Sequence, residues 1–334
     1  MPTRASSLHL LRKRLPPANP AVTPSSVALF RLGETCNHKC PMCSNAGDPA
    51  ALFPPMGEVL RRAAFLHSQG FRRVVLTGGE PTLHPGFWPV ADRFHAWKLT
   101  WDLHTHGRTF ADAALADRAV DLGLERAIVS LHGPDAETCG AMSGAPPHAF
   151  SEIQSGIEHL LRAGCRVMVN TVVAAPNLDK LAQHMVFLAQ RFGPSVSAKL
   201  AFPSMQGRGG RWHGIDVTFD QVMPLVQQAL RAAEAAGLGL HLEGFPNCVV
   251  GERDRVPMGR TGYGETHYLD DSVGDVLHGM AHVEASLAVY GPACRDCPAL
   301  ARCPGVEEAY ARRHGLNELK GFRDTPTAAA GALP

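Results

Sequence analysis

The sequence has almost no net charge: 32 basic residues stand against 31 acidic ones, a formal charge of +1. The overall balance therefore recruits neither nucleic acid nor an anionic membrane. A long apolar run is also missing. Stretches such as VMVNTVVAA (167–175) fall well short of the about 20 residues that a membrane helix needs. Nor does the start read as a secretion signal, since the basic residues of LHLLRKRLPP (8–17) follow a very short apolar stretch. These absences lead to the expectation of a cytoplasmic protein that binds no nucleic acid and crosses no membrane. One further absence is local. ETCNHKCPMCSNAG (34–47) holds Cys36, Cys40 and Cys43 in the spacing Cys-x3-Cys-x2-Cys, and no fourth cysteine follows until Cys139.

What is present begins with nine cysteines, an odd number. In a reducing compartment a disulfide framework is not expected, and clustering points to metal. Seven fall into two groups: Cys36, Cys40 and Cys43, then Cys294, Cys297 and Cys303 with Cys248 as a distant member. Cys139 and Cys165 are left as small core or helix residues.

Along the chain, residues 1–26 are rich in Pro, Ser and basic residues and read as an irregular arm. Strands are then expected at 27–32, 72–77, 99–105, 126–131, 166–173 and 196–202. Helices are expected at 56–70, 86–96, 109–122, 149–163 and 178–191. The strands are β-branched or apolar enough to be buried on both faces, which predicts a parallel sheet or barrel. The alternation is expected to stop at MQGRGGRWHG (205–214), a loop leaving the barrel. One more helix follows, capped by Thr218, with Phe219, Val222, Val226 and Leu230 on one stripe. Residues 239–323 have little period and are read as too irregular to hold together by an apolar core alone, so a metal staple is expected there. Residues 324–334 read as a disordered tail. The domain reading is an arm at 1–26, a core at 27–214, an extension at 215–323 and the tail.

Three thiolates on one loop would serve zinc only with a fourth ligand from elsewhere, and His38 lies among them; zinc sites more often pair a Cys-x2-4-Cys with a second, distant pair. A four-iron cluster is the better fit, because one short loop can wrap three of its irons. The fourth iron is then open to an exogenous molecule.

With these residues in view, the sequence resembles the radical S-adenosylmethionine (radical SAM) enzymes. Cys36-x3-Cys40-x2-Cys43 directly follows the first strand. LTGGEPTLHP (76–85) resembles the family's glycine-glycine-glutamate motif, IVSLHGPDAET (128–138) its fourth strand and loop, and VMVNTVV (167–173) its fifth strand; together they span roughly residues 27–205. The resemblance implies a partial (β/α)6 TIM-like barrel of α/β class with the first cluster at the C-terminal end of the strands. It implies that the methionine amino and carboxylate groups chelate the open iron. An electron from the cluster then splits the carbon–sulfur bond, and the resulting 5′-deoxyadenosyl radical abstracts a substrate hydrogen. Gly78 and Gly79 would allow close approach to the methionine ammonium and Glu80 would add negative charge near it. Ser130 resembles the residue that meets the ribose, and Asn170 one that meets the ribose or the carboxylate. Standing alone, the Gly-Gly-Glu-Pro run would read as a turn, and Ser130 and Asn170 as ordinary barrel residues. Two departures stand out. His106 occupies a place where many relatives have asparagine, and could touch substrate or sit in a solvated loop. Cys139 stands where relatives often have histidine, and could donate a hydrogen atom or be structural.

The second group, Cys294-x2-Cys297-x5-Cys303 with Cys248 46 residues before Cys294, reads as a zinc knuckle on spacing alone. In this context it resembles the SPASM and twitch extensions, which carry auxiliary four-iron clusters. No cysteine follows Cys303, so one auxiliary cluster is expected, saturated by four thiolates and suited to electron transfer or structure. The expected cofactors are two [4Fe-4S] clusters and S-adenosylmethionine, and the expected reductant is a flavodoxin or ferredoxin. Maturation of a ribosomally made peptide or protein is placed first as the function, with any leader peptide bound by a separate protein. An oxidase, cyclase or epimerase acting on a sugar, aminocyclitol or nucleotide is the alternative. A non-catalytic iron–sulfur or zinc module is the reading from another class, against which the Gly-Gly-Glu motif and the Ser130 loop speak. No catalytic base or hydrogen donor is identified.

Overall fold

The computed structural model describes residues 10–44, 53–211, 213–253, 265–270 and 275–323. The expected tail at 324–334 lies outside the described residues, as do residues 1–9 of the arm. In chain order the elements are β1 (Val27–Arg31), α1 (Met56–Ser68), β2 (Arg73–Thr77), α2 (Phe87–Ala96), β3 (Thr100–Thr105), α3 (Ala113–Asp121) and β4 (Leu124–Ser130). There follow α4 (Ala136–Ser143), α5 (His148–Arg162), β5 (Arg166–Val172), α6 (Leu181–Phe192), β6 (Val196–Ala201), α7 (Phe219–Ala235) and β7 (Gly239–Glu243). The C-terminal part adds α8 (Asn247–Val250), β8 (Thr266–Asp270), β9 (Val276–Gly279), α9 (Met280–Leu287), β10 (Ala288–Val289), β11 (Val306–Glu307) and α10 (Glu308–His314).

Nine strands form one sheet in the order β7-β6-β5-β4-β3-β2-β1-β8-β9. Every pairing is parallel except β8 with β9. The strands run in chain order with a helix between neighbours from β1 to β7, as βαβ connections require. This is a partial, open TIM-like barrel of α/β class.

The six expected strands are present within two residues at each end. The alternation does not stop at β6, however. Thr218 forms a reciprocal capping box with Gln221 at the start of α7, and β7 pairs parallel with β6, so one more helix and strand continue the pattern. The expected helix at 109–122 is a 3-10 turn at Arg108–Ala111 followed by α3, because Asp112 caps the amide of Ala114 and restarts the chain there. Helix α4 was not expected; its eight residues include Gly140 and two serine or threonine residues, which weaken the apolar period.

Both faces of the sheet are largely buried, as expected, but they differ in polarity. Phe30, Val74, Leu76, Trp101, Leu103, Val129, Val169 and Leu200 point to the helices and are almost fully buried. On the other face, the inner face of the partial barrel, Ser130, Asn170, Lys199 and His241 lie in register across β4 to β7. Nearer the strands' N-terminal ends Asp102, Arg126 and Arg166 do the same across β3 to β5. The strict period of two puts these polar positions on one surface.

The C-terminal part is held by more than its cysteines. Val289, Tyr290, Cys294, Val306, Tyr310, Leu316 and Leu319 are buried in the same apolar cluster as the barrel, and Tyr310 stacks at an angle on Phe219 of α7 with ring centroids 4.9 Å apart. The arm pairs back onto it: Leu11 and Tyr290 form an antiparallel bridge. A weak hydropathy period hid this core because its apolar residues come from short segments far apart in sequence.

Candidate functional site

The three cysteines of the first group follow β1 on one loop, and each is half-buried. The loop is fixed from four sides. Below it, the amide of Gly79 donates to Gly33 O (2.8 Å) and the amide of Glu80 to Thr35 O (2.9 Å). Beside it, the amide of Lys39 donates to Ser143 O at the end of α4 (2.9 Å). Above it, the segment after β6 returns, and the amide of Arg208 donates to Cys43 O (3.0 Å). That segment was expected to leave the barrel. Instead Gly207 lies so close that a Cβ there would stand 2.6 Å from Cys43 O.

The fourth side is His106, at the end of β3. Its Nδ1 accepts from the amide of Arg108 (3.2 Å), so its Nε2 carries the proton and donates to Asn37 Oδ1 (2.7 Å) within the cysteine loop. His38 stacks on it, with centroids 4.2 Å apart. His106 is buried. It is not a solvated loop residue; it braces the loop. Burial holds its pKa below the usual histidine range.

Glu80 is buried too. One carboxylate oxygen accepts from the hydroxyls of Thr82 and Thr105 (both 2.7 Å), and the other from the amide of His106 (2.8 Å). The motif glutamate thus ties the end of β2 to the end of β3. The glycines before it have a comparable task. A Cβ on Gly78 would stand 2.2 Å from Gly33 O, and one on Gly79 2.4 Å from Glu34 O and 2.3 Å from Thr35 O. Close approach is required here, but the first thing approached is the cysteine loop itself.

At the ends of β4 and β5, Ser130 and Asn170 are register partners. Asn170 Oδ1 is buried without a hydrogen-bond partner, an arrangement that costs free energy unless a donor arrives. Cys139 is elsewhere: in α4 it is buried, its thiol donates to Gly133 O (3.3 Å), and burial pushes it up to about 12. Its place in the packing explains it without a role in hydrogen transfer. Cys165 is likewise buried, its thiol also pushed up to about 12 by burial.

The second group assembles from three segments. Cys248 lies in α8 after β7, Cys294 ends a 3-10 turn, and Cys297 and Cys303 follow on the next turns. Cys248 lies within electrostatic range of Cys294, Cys297 and Cys303. Residues 320–322 run beside them: the amide of Phe322 donates to Cys297 Sγ (3.2 Å), and the backbone at Gly321 and Lys320 holds the Cys248 pKa down against its burial. Lys13 of the arm donates to Cys303 O (2.7 Å) and lies over the Tyr290 ring.

Both groups are soft thiol sets with backbone N–H groups aimed at sulfur, at Cys36 from His38 in the first (3.3 Å). Such donors suit iron–sulfur ligation. Burial pushes the thiols of Cys36 up to about 11 and Cys40 up to about 12, and in the second group Cys294 up to about 11. A bound cation is what would hold them as thiolates. Among the described residues no three His, Cys, Asp or Glu side chains form a site for a single metal ion. Sequence reasoning missed Asn37, the return of Arg208, and the glycines of 205–214 as a cover; a glycine-rich stretch signals a tight approach but not to what.

The sequence profile of the Radical SAM superfamily matches residues 30–188. The chain is 28% identical over 262 residues to mycofactocin maturase MftC of Mycolicibacterium smegmatis, covering 74% of this chain and 62% of that one. It is 26% identical over 244 residues to the pre-heme d1 synthase of Dinoroseobacter shibae, covering 70% and 59%. To a GTP 3′,8-cyclase of Helicobacter pylori it is 28% identical over 162 residues, covering 47% and 50%. The matches thus span about half to three-fifths of the relatives' lengths. Among solved structures, Streptococcus suis SuiB bound to S-adenosylmethionine superimposes with a TM-score of 0.59 at 14% identity, covering 90% of this chain and 76% of that one, a likeness of fold. Cysteine loop, Gly-Gly-Glu turn, open parallel barrel and profile agree: residues 30–188 form a radical SAM domain.

Proposed function

We propose that Cys36, Cys40 and Cys43 hold a [4Fe-4S] cluster, that S-adenosylmethionine binds beside it, and that the enzyme abstracts a hydrogen atom from a peptide or protein during its maturation. When bound, the cluster supplies the electron that splits the carbon–sulfur bond of S-adenosylmethionine. The chain's own residues position that event. Gly78, Gly79 and Glu80 seat the cysteine loop, the unpartnered Asn170 Oδ1 offers an acceptor, and Ser130 beside it offers a hydroxyl. The observation that carries the reading is this convergence of the loop and the Ser130–Asn170 pair at the C-terminal ends of the strands, where barrel enzymes place their chemistry.

The second group, Cys248, Cys294, Cys297 and Cys303, is proposed to hold an auxiliary [4Fe-4S] cluster in a SPASM- or twitch-like extension. Four thiols leave no iron open, which favours electron transfer. Peptide maturation is placed first because the MftC alignment covers 74% of this chain, well beyond the profile match. The proposed partners are a flavodoxin or ferredoxin as reductant and a separate protein for a leader peptide. No helix among the described residues is long and apolar enough to cross a membrane, and nine free cysteines suit a reducing cytoplasm. The small-molecule reading is favoured by one observation: Lys199 and Glu243 form a buried ion pair on the inner face, beside Asn170, a polar lining suited to a compact polar substrate.

The test is anaerobic reconstitution followed by iron counting and assay for 5′-deoxyadenosine. Two four-iron clusters and reductive cleavage are expected. Cleavage that survives joint replacement of Cys36, Cys40 and Cys43 by alanine would overturn the catalytic assignment.

A further inference from the structure

The opposite end of the barrel carries a second charged site. At the N-terminal ends of β2 to β5, Arg72, Arg73, Arg126 and Arg166 line one pocket with Ser25 and Thr100, of about 470 Å³. Strand β4 has seven residues, so this pocket is about 20 Å from the strand ends that carry the Ser130–Asn170 pair.

Four guanidinium groups here face two carboxylates. Asp102, fully buried, takes Arg73 (3.0 Å) and Arg126 (3.7 Å). Glu125 takes Arg73 and Arg166, the latter at 3.3 Å. Arg72 has no carboxylate partner among the described residues. If the arginines served only to close the bottom of the barrel by ion pairs, a filled space would be expected. Instead they border an open volume.

We propose that this pocket binds the phosphate group of a small phosphorylated molecule. Phosphate is the class that fits: a monoester carries about −1.5 to −2 at neutral pH and offers three acceptor oxygens, whereas a carboxylate carries one charge and offers two. The geometry agrees, because planar guanidinium forks engage phosphate oxygens in pairs and the hydroxyl of Ser25, which can accept from Thr23, adds a donor. Arg126 and Asp102 share the inner face with Asn170 and Lys199. The inference stands on the arginines alone and does not depend on the reading of either cysteine group.

The test uses the full-length, anaerobically purified protein and pyrophosphate as probe, followed by titration calorimetry with the cluster absorbance monitored for iron loss. Saturable binding that weakens as salt is raised is expected. The double variant Arg72→Gln, Arg166→Gln replaces two exposed side chains and should melt as wild type does while losing at least about tenfold in affinity, the equivalent of one charge-assisted contact. Absence of saturable binding, or equal binding by the variant, would overturn the site. Malonate, a dicarboxylate, should bind more weakly; equal affinity would overturn the assignment to phosphate.

Discussion

The amide of Gly79 donates to the carbonyl of Gly33 across 2.8 Å, and with the Glu80 amide on Thr35 O it seats the cysteine loop on the Gly-Gly-Glu turn. Side chains are excluded at the contact, since a Cβ on Gly79 would stand within 2.4 Å of the carbonyls of Glu34 and Thr35. Gly79→Ala should therefore act on the cysteine loop before it acts on any ligand. Overpacking against backbone costs about 1–3 kcal/mol, and the loop is the part able to move. The variant is expected to lose iron from the first group, keep that of the second, and lose S-adenosylmethionine binding in consequence. Full iron content with weakened S-adenosylmethionine binding would show that the glycine serves the ligand alone.

Glu80 offers a second test of the same joint. Its carboxylate takes two hydroxyls on one oxygen and the His106 amide on the other. In Glu80→Gln an amide N–H₂ must face either the His106 N–H or the two hydroxyls, so a buried donor loses its acceptor. The cost is about 1.5–3 kcal/mol. Chemical denaturation should register the loss, and His106 should release Asn37, detectable as faster hydrogen exchange in residues 36–40. Unchanged exchange there would mean that the carboxylate braces nothing.

Much of this architecture was legible in the sequence because the apolar face of each strand meets helices, which fixes both period and order. The inner face was not legible. Asp102, Arg126, Asn170 and Lys199 interrupt strands that otherwise read as buried on both sides, and only register shows that they share a surface. The same holds for the site. The cysteine spacing points to a cluster loop, but the Gly-Gly-Glu motif points to a bound methionine moiety and says nothing of the loop that it also seats. His106 was ambiguous because nothing in LHTHGR shows that Asn37, 69 residues earlier, completes its hydrogen bond. The C-terminal part was underestimated for a related reason, as Tyr290, Val306 and Tyr310 bury themselves against the barrel without any periodic run to announce it.

Two buried histidines outside the cysteine loops give a dependence on pH. Burial pushes His132 down to about 4 and His184 down to about 3, against about 6.5 in an unfolded chain. Both forms are neutral above pH 6.5, so stability is full there. Below it the unfolded chain binds protons that the folded chain refuses, and stability falls until the folded values are reached. Each group contributes a slope of about 1.4 kcal/mol per pH unit within that window. Denaturation midpoints should drop between pH 6.5 and 4.5, and less steeply in His184→Gln. An identical slope in the variant would remove His184 from the account.

The last prediction concerns Cys248 and what holds the second group together. If Cys248 is the fourth thiol, Cys248→Ala should lower iron content and change the spectrum of that site, while the first group still supports 5′-deoxyadenosine formation. Loss of order should be confined. Residues 320–322 lie beside Cys248 and Cys297, with the Phe322 amide donating to Cys297 Sγ, and they should become more open to protease when the sulfur is removed. The segment from Val289 to Tyr310 should not, because its apolar residues are buried in the barrel's own core. Lys13 provides the control: its ammonium grips Cys303 O from the arm, so Lys13→Met should free the arm to protease without changing the iron count. General collapse of residues 239–323 in Cys248→Ala would mean that metal, and not apolar packing, orders the extension. An unchanged spectrum would leave three thiols at the site and open its fourth position to substrate.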